Sequence, residues 1–206
     1  GAATSSVLAF TNAGTLTGTI TVTGSAEIEV NGASTITSID HNATALVLDI
    51  NESATITGLD NAGGTATTID VASAKTLTVT TPTLSTAVTL NGAATSSVLA
   101  FTNAGTLTGT ITVTGSPVIQ FGGSSTVSRI DATTGTITDN GGTTVSDLRA
   151  TFGAGGTFTW GGTGSGTITT LANALPGAGE TLNKVGTGTL TIASGFTTAF
   201  ANAAGV

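Results

Sequence analysis

The sequence predicts an all-β fold, a parallel β-solenoid with coils of about 20 residues, and three observations carry that prediction. The chain holds 49 Thr and 30 Gly among 206 residues, and only 7% of its side chains are charged. An ordinary soluble domain carries about 25% charged residues, so the departure is large. Short segments in which apolar residues alternate with Thr recur at a spacing near 20. Thr is β-branched and stiff at χ1, which suits a pleated surface, while the Gly, Asn and Ser between the segments suit tight turns. About 20 residues hold two short strands with their turns, which is one solenoid coil and too few for a helix-pair repeat. A β-sandwich of the same short strands is the alternative that the pattern leaves open. Disorder is opposed by the 38% hydrophobic content, since disordered segments are charged and poor in β-branched residues.

Taken in order, residues 1–25 (GAATSSVLAFTNAGTLTGTITVTGS) return without a change at 92–116, an offset of 91. Such identity implies recent duplication inside a longer array. A finer pattern runs through IEVNGASTITSID at 28–40, LDINESATITGLD at 48–60, IDVASAKTLTVT at 69–80 and IQFGGSSTVSRID at 119–131. Aligned on it, Asn31, Asn51, Ala72 and Asn91 follow at spacings of 20, 21 and 19, and Thr15, Thr35, Thr55 and Thr76 keep a similar step. The Asn column predicts a ladder of stacked amides at a turn, with Asn, and Gly122 in register, tolerating a left-handed backbone there. From Asn91 to Asn103 is only 12 residues, which predicts a short or irregular coil before the duplicate. Past 131 the period drifts, although TITDNGGTTVSDL, TFTWGGTGSGTITTL and TLNKVGTGTLTIASG keep the strand, turn, strand form. Three blocks result: 1–91 with about four coils and a short one, 92–131 as the duplicate continuing the solenoid, and 132–206 as a less regular, glycine-rich continuation.

Alternation assigns the faces. Ile36, Ile56, Leu77, Leu107 and Ile137 point inward on one strand of the coil, and Ile28, Val30, Leu48, Ile50, Ile69, Val71, Val88 and Leu90 on the other. Glu27, Glu29, Asp49 and Asp70 alternate with the second set and face solvent. Each coil buries few side chains, so stability comes from stacking on neighbours.

Charge and chemistry exclude several function classes. The net charge is −7, and Lys75, Arg129, Arg149 and Lys184 are the only fixed cations. No basic patch can neutralise a phosphate backbone, so nucleic acid is not a partner. The chain has no Cys, and its only His is His41. Thiol chemistry and multi-His metal sites are therefore absent, and His41 reads as a solvated turn residue. Eleven acids are spread along the coils rather than clustered as a glycosidase requires. The expectation is a protein that is not an enzyme and takes no cofactor. No apolar run of about 18 residues is present to span a bilayer. The chain lacks Met, position 1 included, which points to a processed or excised part of a longer product. Asp40, Asp60 and Asp131 occupy equivalent positions in the alignment and are weak Ca²⁺ candidates; turn capping through their own backbone is the favoured role. Asn42-Ala43-Thr44 and Asn51-Glu52-Ser53 match the glycosylation pattern, as Thr-rich chains do by chance. The aromatic cluster Phe152, Phe158 and Trp160 breaks the repeat and is the best candidate for a ligand-binding patch, although an inward-facing or edge-packing role for Trp160 is favoured.

TLNKVGTGTLTIASG at 181–195 resembles the passenger-associated repeat of bacterial autotransporters, with Leu182, Lys184, Gly186, Gly188, Thr189, Leu190 and Thr191 on the motif and Asn183 in place of Thr. STITSID, SATITGLD and SSTVSRID are similar to repeats of rickettsial outer membrane protein A and related surface-layer passengers. The resemblance implies export to the outer face of a Gram-negative envelope, a solenoid stalk and adhesive or surface-layer roles. The leading expectation is a structural extracellular module that forms a homo-oligomer, filament or lattice, with an adhesin binding a host surface or glycan as the alternative. Paired Thr ranks at Thr15/Thr17, Thr35/Thr37, Thr55/Thr57 and Thr76/Thr78 add an ice-binding grid as a third and weaker expectation, since outward Thr is what any exposed sheet prefers.

Overall fold

The computed structural model describes residues 6–42, 45–94, 96–132, 134–150, 157–172 and 181–194. Its strands begin with β1 (Ser6–Phe10), β2 (Gly14–Val22), β3 (Ala26–Val30), β4 (Ser34–His41), β5 (Leu46–Ile50), β6 (Ala54–Asp60) and β7 (Ala66–Val71). Next come β8 (Thr76–Thr83), β9 (Ala87–Gly92), β10 (Val98–Phe101), β11 (Thr106–Gly115), β12 (Val118–Phe121) and β13 (Thr126–Ala132). The series closes with β14 (Gly135–Asp139), β15 (Thr144–Ala150), β16 (Thr157–Gly161), β17 (Gly166–Ala172), β18 (Thr181–Lys184) and β19 (Leu190–Ser194). Odd-numbered strands make a ten-stranded sheet and even-numbered strands a nine-stranded one, each in chain order. All neighbours pair in parallel. The fold is the expected β-solenoid, one strand from each sheet per coil, and not a sandwich.

The step between stacked residues is 20 from Ala26 to Leu46, falls to 18 from Thr126 to Thr144 and rises to 24 from Gly166 to Leu190. The block boundaries at 91/92 and 131/132 fall inside β9 and β13, and strand pairing runs across both.

Inward residues stack in columns because every second side chain faces the gap between the sheets and the parallel register repeats it coil after coil. Ile28, Leu48, Ile69, Leu90 and Val113 are successive partners in the ten-stranded sheet. Ile36, Ile56, Val79, Phe101 and Phe121 are partners in the other, and the two Phe rings stack at 5.6 Å. Every residue expected to point inward is buried. Each such side chain contributes about 1.5–3 kcal/mol by leaving water, and that contribution needs a coil on both sides.

The 12-residue step from Asn91 to Asn103 has a different cause from the irregular coil expected. Asn91 follows the inward run of β9 in the ten-stranded sheet, whereas Asn103 follows β10 in the nine-stranded sheet. The step is half a coil. Residues 6–10 form β1, and their exact duplicate at 97–101 contributes β10, nine strands later. An odd number of strands puts the duplicate on the opposite face. Leu107 therefore lies in the sheet opposite Ile36, Ile56, Leu77 and Ile137, a correction to its assigned face.

Candidate functional site

Both outward faces carry ladders of polar side chains. On the ten-stranded face Glu29, Asp49 and Asp70 are consecutive partners. Three stacked carboxylates repel one another unless donors intervene, and neighbouring amides supply them. Asn31 Nδ2 donates to Glu29 at 3.1 Å, and Asn51 Nδ2 donates to Asp49 at 3.1 Å and to Asn31 Oδ1 at 3.0 Å. Asn91 Nδ2 donates to Asp70 at 2.6 Å. The amide ladder thus exists between Asn31 and Asn51, but Asn91 stands beside Asp70 and not beside Ala72, two residues from its expected register. Nor is the Asn backbone left-handed: among the described non-glycine residues the positive φ belongs to Ala74, at 59°. Asn51, the asparagine of one glycosylation match, is committed to this ladder; Ala43 and Thr44 of the other lie outside the described residues.

Further along the same face, Arg129 sits beside Asp131 and Arg149 beside Asp147 in a checkerboard across β13 and β15. Arg129 Nε and Nη2 each reach Asp131 at 2.7 Å, and Arg149 Nε reaches Asp147 at 2.7 Å. The Asp131 hydrogen bond holds the Arg129 guanidinium above its already high pKa. Asp131 is thereby removed from the Ca²⁺ candidates: Asp40 and Asp60 stack on the nine-stranded sheet, and the half-coil step puts Asp131 on the other. Asp60 Oδ1 instead accepts the Ala62 N–H at 2.8 Å, the capping role favoured for it. Among the described residues no group of three or more His, Cys, Asp or Glu is arranged to hold a metal ion.

On the nine-stranded face Thr15, Thr35, Thr55 and Thr78 form one rank, which ends at Ala100. Thr76 drops out because the step from Thr55 to its partner Thr78 is 23 residues, and its N–H bonds Ser53 Oγ at 3.1 Å instead. This single rank of hydroxyls is four coils deep.

Two of the residues singled out in the sequence are internal, His41 against expectation and Trp160 in accord with one of the roles favoured for it. His41 ends β4 with its ring fully buried, Nδ1 lying 3.2 Å from Thr67 Oγ1. A Cβ on Gly64 would come within 2.5 Å of that ring, so the turn closes directly over it. The sequence reading as a solvated turn residue is corrected: alternation in β4 shifts at Thr37 and Ser38, neither of which is buried, so that Ile39 and His41 both face inward. Thr67 joins His41 to buried Asn61, whose Oδ1 accepts the Ser85 N–H at 2.8 Å. Trp160 is also fully buried, stacked in register between Ile137 and Lys184. Gly166 makes room for it, since a Cβ there would lie 2.5 Å from the indole and 2.7 Å from Asp139 Oδ2. The indole is out of reach of a sugar, so it supplies no stacking platform. Phe158 takes its place in β16, and Phe152 lies outside the described residues.

Sequence reasoning missed Asp139, a fully buried carboxylate that follows Phe121 in the core column. Its oxygens accept the N–H groups of Gly141, Gly142 and Thr143 and the Thr143 hydroxyl, at 2.9–3.2 Å. The signal was Asp-Asn-Gly-Gly-Thr, an Asp heading a turn that its own side chain organises. The Lys-x-Gly-x-Gly run has a local role too. Lys184 Nζ donates to the carbonyls of Val185 and Gly186, at 2.6 and 3.2 Å. A Cβ on Gly186 or Gly188 would overlap the backbone of Gly162 or Gly164 in the coil before.

The chain matches no protein-family model, no curated protein and no solved structure.

Proposed function

We propose that the chain is a structural module of an extracellular surface, a stalk, surface-layer or filament unit that acts by self-association. The observation that carries this reading is the uninterrupted parallel stack: among the described residues each strand from β1 to β17 pairs with the next strand of its own sheet, and a solenoid built this way holds a fixed length and a repeating lateral surface. The outward faces support the same reading, since their ion pairs and amides are bonded within the ladders. The resemblance of residues 181–195 to autotransporter passenger repeats supports placement on the outside of a Gram-negative cell. Sedimentation velocity across a wide concentration range tests the reading: growing oligomers are expected, and a strictly monomeric rod at every concentration overturns it.

A further inference from the structure

The turn between β14 and β15 brings an asparagine, a glycine and a carboxylate to where they react with one another. Asn140-Gly141 is one of three Asn-Gly pairs, beside Asn31-Gly32 and Asn91-Gly92. In such a pair the backbone nitrogen of the glycine can attack the side-chain amide of the asparagine, since no Cβ crowds the approach. At Asn140 the structure adds two aids. The Gly141 N–H donates to Asp139 Oδ1 at 3.2 Å, so a fully buried carboxylate sits on the proton that the attacking nitrogen must lose. Its further bonds to Gly142 and Thr143 hold that carboxylate in place. Asn140 Oδ1 accepts the Thr163 N–H at 3.2 Å and lies 3.4 Å from Thr163 Oγ1, so two donors of the following coil meet the oxygen on which charge would develop. Asn140 is exposed, which gives its amide nitrogen a way out to water. A Cβ on Gly141 would lie 2.1 Å from the Gly123 backbone, so packing keeps a glycine there.

Neither of the other pairs has both aids. Asn31 Oδ1 accepts Asn51 Nδ2, but among the described residues no carboxylate accepts the Gly32 N–H. Gly92 is held in β9 between β7 and β11, and Asn91 Nδ2, the nitrogen that would leave, is bound to Asp70 at 2.6 Å. We propose that Asn140 is a self-modification site, at which Asp139 and Thr163 promote closure of a succinimide on Gly141 N with loss of ammonia. Gly141 N passes its proton to Asp139 Oδ1 and bonds to Asn140 Cγ, while the carbonyl electron pair moves onto Oδ1 and is held there by the Thr163 N–H and hydroxyl. The pair returns, the Cγ–Nδ2 bond breaks, and the departing nitrogen takes up one proton as Asp139 gives one back. Water then opens the ring at either carbonyl, leaving aspartate or isoaspartate at position 140. The aspartate keeps an oxygen for the Thr163 N–H, whereas the isoaspartate adds a methylene to the main chain of the turn.

Peptide mapping by mass spectrometry of the full 206-residue chain, incubated in water enriched in heavy oxygen, reads all three pairs at once, because each deamidation takes in a solvent oxygen. The same chain unfolded in guanidinium is the reference, in which hydroxide alone promotes each pair. Folded Asn140 is expected to convert about 100-fold faster than unfolded Asn140, the low end of what a positioned general base contributes. Folded Asn31 and Asn91 are expected to convert more slowly than unfolded. The folded Asn140 rate is expected to stay level across neutral pH, while the reference rises with hydroxide. Asp139→Asn removes the base but also an anchor of the turn, so an exposed position carries the second test. Thr163→Val keeps the N–H and is expected to slow folded Asn140 about tenfold with an unchanged circular dichroism spectrum, since it removes one of the two oxyanion donors. A folded Asn140 that converts no faster than the reference overturns the proposal. So does a folded rate that follows hydroxide and ignores Thr163→Val.

Discussion

Residues 6–25 and 97–116 are the same twenty residues in two settings. At the start of the stack Leu8 is 44% exposed, and Phe10, Leu16 and Ile20 only lean on the core. Between other coils Leu99, Phe101, Leu107 and Ile111 are all buried. The copies also sit on opposite faces, because 91 residues are about four and a half coils of about 20. Local sequence decides which residues form strands and which side chains alternate inward. The half-coil count decides the face, and the neighbouring coil decides the burial. Stability in such a stack is a property of interfaces between coils more than of the coils themselves.

Paired substitutions at matching positions sharpen this comparison, measured at a concentration where the chain is monomeric. The largest difference is expected from Leu99→Ala against Leu8→Ala: about 2–5 kcal/mol for the interior residue, whose loss leaves a cavity, and less than about 1 kcal/mol for the exposed one, read by denaturant unfolding. Gly115→Ala against Gly24→Ala comes next and should differ in sign. Gly115 has φ 75° and meets the Gly92 carbonyl, so Ala there is expected to cost about 2 kcal/mol. Gly24 has open space, and Ala is expected to be neutral or to stabilise by about 0.4–1 kcal/mol. The smallest difference is expected from Thr114→Val against Thr23→Val. Thr114 Oγ1 bonds Asn91 Oδ1 of the preceding coil, worth about 0.5–1.5 kcal/mol. Exposed Thr23 should change stability by no more than about 0.5 kcal/mol. Equal effects within all three pairs would break the account that burial is set by the neighbouring coil.

The solenoid and its inward positions were legible because both follow from period-2 alternation and a repeat near 20, which are local properties of the sequence. Beyond residue 91 the face was misread at Leu107 and Asp131, although Ile137 was placed with Ile36, Ile56 and Leu77 correctly. An Asn-to-Asn step of 12 looks like an irregular coil unless one sees that the two sheets of a coil are interchangeable for Thr-apolar-Thr strands. Asp131 and Leu107 were misplaced for that one reason. Register within a face was also hidden: Thr78, not Thr76, continues the Thr rank because the coil between lengthened by turn residues that carry no alternation. His41 was hidden differently, and for Trp160 the inward role was one of two favoured. Whether a lone polar or aromatic residue turns inward depends on the room that the surrounding backbone leaves, and Gly64 and Gly166 supply that room from 23 and 6 residues away.

The half-coil step is tested most directly by asking which strand lies beside β11. In the structure Thr112 is the partner of Thr89 on β9, both facing outward from the ten-stranded sheet. A Thr89→Cys/Thr112→Cys variant is predicted to close an internal disulfide under mild oxidation, while Thr78→Cys/Thr112→Cys, whose first residue lies on the nine-stranded face, is predicted to remain reduced. A bridge between positions 78 and 112 with none between 89 and 112 would put both copies of the repeat on one face and contradict the account.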